Sequence, residues 1–134
     1  MKLLDTTFLI HYWGGVDDAA DYLESHEDEE FLTTTLNLKE IAVGRRLQGK
    51  LDRAEILTTF DWVTLVPFDA EHAFVAAELE ANLRQQSDIN EDRINALAGD
   101  LLIAAVAKER NASVVTENTR DFALFDGVPV DTYR

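Results

Sequence analysis

Short β-rich runs alternate with helical stretches along this chain, and the alternation predicts an α/β fold: a three-layer α/β/α sandwich around a central, mostly parallel sheet. Two further observations agree. The 134 residues fit one domain, residues 1–134, large enough to bury about two-thirds of its unfolded surface. No repeat, low-complexity segment or Pro/Gly-rich linker divides the chain, and 46% of its residues are hydrophobic, which excludes a disordered polymer.

The elements follow in order. Residues 2–4 form a short apolar strand ending at Asp5, and residues 6–13 continue as an apolar helix broken by Gly14 and Gly15. Residues 17–26 read as an amphipathic helix with Ala20 and Leu23 inward, followed by a charged turn at 27–30. Residues 31–34 are a second strand, and Thr35 or Asn37 is placed to cap a helix running to about residue 48, where Gly49 ends it. A helix over 52–60 precedes a strand over 62–66 that Pro67 stops. Asp69 caps a long helix over 70–85, and 87–92 is a polar loop. Residues 100–109 form a nearly all-apolar helix, 112–116 a strand, and 128–131 an edge strand.

Composition narrows the function. The chain has no cysteine, so disulfides and thiolate metal sites are excluded. Its longest apolar run, residues 101–107, falls far short of the roughly 20 residues of a membrane helix. The N-terminus reaches Asp5 too soon for a signal peptide, so a soluble, cytoplasmic protein is expected. The 26 Asp and Glu against 12 Lys and Arg leave a net charge of −14, a self-repulsion that salt would screen. A salt-rich cytoplasm is one setting that fits; an ordinary acidic protein is the other.

Candidate chemistry lies in four acids, Asp5, Glu40, Asp100 and Asp121, with Asn118 beside the last. Each sits near a strand or helix end, and in parallel sheets ligands bind beyond the carboxyl ends of the strands. Leu36, Glu40, Val43 and Leu47 share one helical stripe, which places Glu40 in a slot otherwise apolar. Asp100 likewise shares a stripe with Ile103, Ala104 and Ala107. Burying an ionised carboxylate costs several kcal/mol unless it is paired or binds metal. Taken alone, Asp5 or Asp100 reads better as a helix-capping acid, and Arg45, Arg46 or Arg120 could serve as partners. Four acids on one edge favour divalent cations, and hence metal-assisted phosphodiester cleavage.

Four segments carry a resemblance: LLDTTFLI at 3–10, NLKEIAVG at 37–44, GDLLIAAVA at 99–107 and TENTRDF at 116–122. In this order and spacing they resemble the PIN domain family, and most closely the VapC toxins of VapBC toxin–antitoxin pairs. The resemblance implies a PIN-like fold and a Mg²⁺- or Mn²⁺-dependent ribonuclease. Asp5, Glu40 and Asp100 would match the family's acids, and Thr6 its neighbouring hydroxyl. Asn118 stands where the family often has aspartate. Asp121 would restore the missing charge, and Thr116 would add its hydroxyl. The same resemblance implies an RNA substrate, a homodimer and a cognate VapB-like antitoxin whose tail enters the acidic groove.

Competing readings are weaker. His11, His26 and His72 share no motif and are expected at or near the surface, and no nucleophile elbow or phosphate-binding Gly-rich loop occurs. A receiver-like signalling domain would need paired acids after the first strand and a late lysine, but Asp5 stands alone and no lysine follows Lys108. A phosphatase with an aspartyl nucleophile would need an acid where Thr7 stands. A PIN scaffold serving RNA binding or housekeeping RNA processing stays open. Lys39, Arg45, Arg46, Lys50 and Arg53 form a basic stretch beside Glu40, suited to an RNA backbone or simply to solvent. Phe8, Tyr12 and Trp13 are candidates for a partner surface or for core.

Overall fold

The computed structural model describes all 134 residues. In chain order they form β1 (Lys2–Leu4), α1 (Thr6–Trp13), α2 (Asp17–Ser25), β2 (Phe31–Thr34), α3 (Thr35–Leu47), α4 (Arg53–Thr59) and β3 (Thr64–Val66). There follow α5 (Ala70–Arg84), α6 (Glu91–Ala96), α7 (Ala98–Arg110), β4 (Ser113–Val115), α8 (Thr119–Phe122) and β5 (Val130–Asp131). The strands make one sheet in the order β3-β2-β1-β4-β5, and every neighbouring pair is parallel. The register sets Leu4 of β1 beside Val115 of β4, and Thr34 of β2 beside Val66 of β3. Because all strands point the same way, the residues that follow β1, β2 and β4 emerge along one edge.

The pleat sends alternate residues to opposite faces, and each face has its own core. Leu3, Leu32, Val66 and Val114 pack against α5, α6, α7 and the Phe122–Phe125 corner. Leu4 and Val115 pack on the other side against Phe8 and Leu9 of α1, Ala19 and Tyr22 of α2, and Ile56 of α4. Helix α3 reaches both layers, Leu36 toward the first and Ile41 toward the second. Helix α7 is buried almost all round, as its composition predicts. No helix is long and apolar enough to cross a membrane.

Several local expectations are corrected. In α2 Leu23 packs against the core as expected, but the buried residues are Ala19 and Tyr22, and Ala20 faces out. The cap of α3 is Thr34, one residue earlier than expected, because its Oγ1 accepts from the backbone N–H groups of Leu36 and Asn37. The stripe through Leu36, Glu40, Val43 and Leu47 is not the core face: Leu47 is 83% exposed, and the buried residues of the helix are Asn37 and Ile41. The polar segment 87–92 leads into a helix, α6, capped by Asn90, whose side chain accepts from the N–H of Arg93. Phe8 belongs to the core, and Tyr12 and Trp13 pack against it. His72 is buried rather than superficial. Its Nδ1 accepts from the backbone N–H of Asp69 and its Nε2 lies 3.0 Å from Glu109, which ties the start of α5 to the end of α7.

The two stripes predict opposite responses in urea titration. Ile103→Ala should lower the unfolding free energy by about 2–5 kcal/mol, since it empties a fully packed site. Leu47→Ala should change it by less than about 0.5 kcal/mol. Equal effects would mean that the face of α3 has been misassigned.

Candidate active site

The carboxyl edge of β1, β2 and β4 gathers most of the chain's buried polar groups. Six polar residues are buried, and Asp5, Thr34, Asn37 and Thr116 all lie here. Asp5 directly follows β1 and occupies the N-cap position of α1, but its side chain makes no capping bond. Its carboxylate turns into the site instead, 5% exposed. One oxygen accepts from Asn37 Nδ2 at 3.2 Å and the other from Thr116 Oγ1 at 2.8 Å.

These bonds belong to a longer chain. Thr6 Oγ1 donates to Glu40 at 2.5 Å and accepts from Asn37 Nδ2 at 2.9 Å. Thr116 Oγ1 accepts from the backbone N–H of Asn118 at 2.9 Å, and Asn118 Nδ2 donates to Asp100 at 3.1 Å. Thus Glu40, Asp5 and Asp100, from three separate elements, are joined through Thr6, Asn37, Thr116 and Asn118. Every donor in this chain is neutral. Glu40 stands on the exposed rim, Asp100 is half-buried in the first turn of α7, and Asp5 is deepest.

Electrostatics follow from that placement. Burial holds the Asp5 carboxyl above the ordinary carboxylate range, assisted by the charge of Glu40 and opposed by the bonds from Thr116, Thr6 and Asn37. Burial also raises Asp100, to about 6, with the charges of Asp5, Glu40 and Asp121 adding to the effect. Four acids therefore feel one another across a single site. Asp121 differs from the other three because it is ion-paired with Arg93 of α6. The guanidinium partner foreseen for an acid is therefore Arg93, not Arg45, Arg46 or Arg120. No three His, Asp or Glu side chains stand close enough together to form a ready-made metal cage.

Two contributors escaped the sequence reading. Asn37 is fully buried and bridges Thr34, Asp5 and Thr6, whereas the sequence offered it only as a cap. Its signal was available, since Asn37 and Ile41 share a stripe, and a polar residue on the truly buried stripe asks for partners. Arg93 gave no such signal, because only the first two residues of its helix fall in the polar segment 87–92 and the sequence assigns no element to the rest.

The profile of the PIN domain matches residues 2–128. The chain belongs to the PIN domain family. This PIN domain protein is 34% identical, over 103 residues, to a protein named Ribonuclease VapC from Rickettsia bellii (strain RML369-C); the alignment spans 73% of this chain and 72% of that protein. Among solved structures, VapBC2 from Rickettsia felis, bound to a promoter DNA fragment, matches with a TM-score of 0.79 at 20% identity, covering 99% of this chain and 98% of that one. A toxin–antitoxin complex from Klebsiella pneumoniae matches with a TM-score of 0.74 at 21% identity, covering 100% and 98%. At these identities the structural likeness establishes the PIN fold alone.

The raised Asp100 has a definite consequence for stability. Between its ordinary value of 3.8 and about 6, the folded chain keeps a proton that the unfolded chain has released. Stability must then fall as pH rises through that window, and Asp5 contributes with the same sign. Melting in EDTA should show the wild type losing ground to Asp100→Asn between about pH 4 and pH 6. A difference that stays constant across that range contradicts the assignment.

Proposed function

We infer that this PIN domain protein is a metal-dependent endoribonuclease, the toxin of a VapBC-type toxin–antitoxin pair. The observation that carries the reading is the run of three carboxylates joined only through neutral donors. An acid as buried as Asp5 normally has a cation against it, and here the nearest side chains are Asn37, Thr116 and two further acids.

The donor chemistry fits a hard divalent ion. All the candidate groups are oxygens, and Mg²⁺ keeps several of its waters, so it does not require a closed protein cage. Mg²⁺ or Mn²⁺ would be held by Asp5, Glu40 and Asp100, with Asn118 and Asp121 completing the oxygen set, and would supply acidity to a bound water and offset charge on the phosphate. The chain's own residues prepare the site. Asn37 and Thr116 fix both oxygens of Asp5, Thr6 fixes Glu40, and Asn118 orients Asp100. Arg93 neutralises Asp121 at the rim, where an approaching polyanion would otherwise meet another negative charge.

The partners follow from the relatives. A VapB-like antitoxin suits a chain whose structural neighbours are toxin–antitoxin complexes. A homodimer would cover some of the apolar surface left open at Val43, Leu47 and Leu51. RNA is the substrate and the cytoplasm the compartment in this reading. Asp5→Asn and Asp100→Asn should each reduce RNA cleavage in Mn²⁺ by at least 100-fold while leaving the circular dichroism spectrum unchanged, a loss of about 3 kcal/mol in transition-state stabilisation. Full activity in either purified variant would remove the nuclease reading.

A further inference from the structure

Beside the acids, α1 and α3 part around a cleft of about 360 Å³, within the range of small-molecule sites (about 300–1,000 Å³). Glu40 is the wall it shares with the acid site, and Ile10, Trp13, Gly44, Arg45 and Gln48 supply most of the rest. We propose that this cleft receives one unstacked nucleobase of the RNA, next to the phosphate at the acids. The inference rests on the nuclease reading above and names where that substrate is gripped.

Three features make the cleft suited to a base. The Arg45 guanidinium lies 4.4 Å over the ring of Trp13. Indole and guanidinium planes are the surfaces on which single-stranded bases stack. The same guanidinium is also short of hydrogen bonds. Its terminal nitrogen reaches Glu55 at a long 3.4 Å, and Nε is buried with no partner at all. The head is therefore held by that long ion pair and by stacking on Trp13, and the terminal N–H groups that Glu55 leaves unengaged are the donors open to a base or a phosphate oxygen.

Gly44 supplies the third feature. It lies inside the 13-residue helix α3, where glycine costs roughly 1 kcal/mol relative to alanine. Its backbone is helical, and a Cβ added there would meet nothing within 4 Å. Neither packing nor conformation calls for glycine, and the missing side chain leaves the cleft open.

The lining also discriminates between occupants. An apolar peptide side chain would leave Gln48 and the unengaged donors of Arg45 without partners, and a cationic one would face Arg45. A base offers a flat apolar face to Trp13 and Ile10 and polar edges to Arg45 and Gln48. The phosphate on the far side of that nucleotide, away from the acids, would lie toward the basic stretch from Lys39 to Arg53, the densest positive run in a chain of net charge −14.

The test uses the indole N–H resonances of the intact protein in EDTA, titrated with the four ribonucleoside monophosphates. Trp62 serves as an internal control, since its Nε1 is bonded to Thr59 O. Saturable shifts at Trp13 and not at Trp62 are expected for at least one nucleotide. Gly44→Met should weaken that binding at least tenfold, with Gly44→Ala intermediate. Both variants should keep or raise the melting temperature, and Mn²⁺ affinity should stay unchanged. In cleavage assays Gly44→Met should raise KM more than it lowers kcat. The proposal is overturned if Trp13 ignores all four nucleotides, if it responds only to an apolar peptide, or if Gly44→Met keeps kcat/KM within twofold. Nucleotide binding in the cleft by a wild type that cuts no RNA would leave the base site standing and remove the nuclease reading alone.

Discussion

A negative charge placed out of water with no positive charge beside it is the constraint on which this structure turns. Asp5 lies almost fully buried, and the groups that reach it are an amide and a hydroxyl. These two bonds and a backbone bond from Thr6 do not repay the removal of a carboxylate from water, so the acid sits above its ordinary titration range, and Asp100 with it. Natural folds keep such strain where it serves a site. The capping residue at the head of α1 could have relaxed it by turning back to the helix; its side chain does not.

The parallel sheet is what holds the arrangement together. With β1 central and β2 and β4 on either side, the residues just past three strand ends must meet at one edge. Asp5 and Thr116 lie just past β1 and β4, Thr34 is the last residue of β2, and α3 and α7 begin close enough to add Asn37, Glu40 and Asp100. The two cores that clamp the sheet from either face supply the rigidity. They are built from neighbouring residues of the same strands, Leu3 against Leu4 and Val114 against Val115. A shift of register by one residue would exchange these pairs and turn the acid away from the site.

Much of this was legible in the sequence, for physical reasons that differ from element to element. Strands β1, β2 and β4 are short apolar runs ending in polar residues, and α7 is apolar on every side, so both patterns survive without tertiary information. Asp5 and Asp100 were legible as candidates because each sits at the end of such an element, whereas Glu40 lies mid-helix in α3. Helix α3 misled, because Leu36, Val43 and Leu47 repeat at helical spacing while Val43 and Leu47 stay exposed; periodicity finds a stripe but cannot say which stripe meets the core. The inward stripe carries Asn37, whose burial is tolerated only because Thr34, Asp5 and Thr6 satisfy it. Helix α6 and its Arg93 were hidden in a polar segment with no apolar period. The ion pair to Asp121 depends on a fold that joins residues far apart in sequence.

The central claim is that these oxygens share an ion, and calorimetric titration of the metal-free protein with Mn²⁺ tests it most directly. Binding must displace the proton that Asp100 holds near pH 6, so the number of protons released, read from the dependence of heat on buffer ionisation, should be greater at pH 6 than at pH 8. Saturable binding with that proton release, abolished in Asp5→Asn, is the predicted result. Weak, unsaturable heats that are the same in Asp5→Asn and wild type would contradict it.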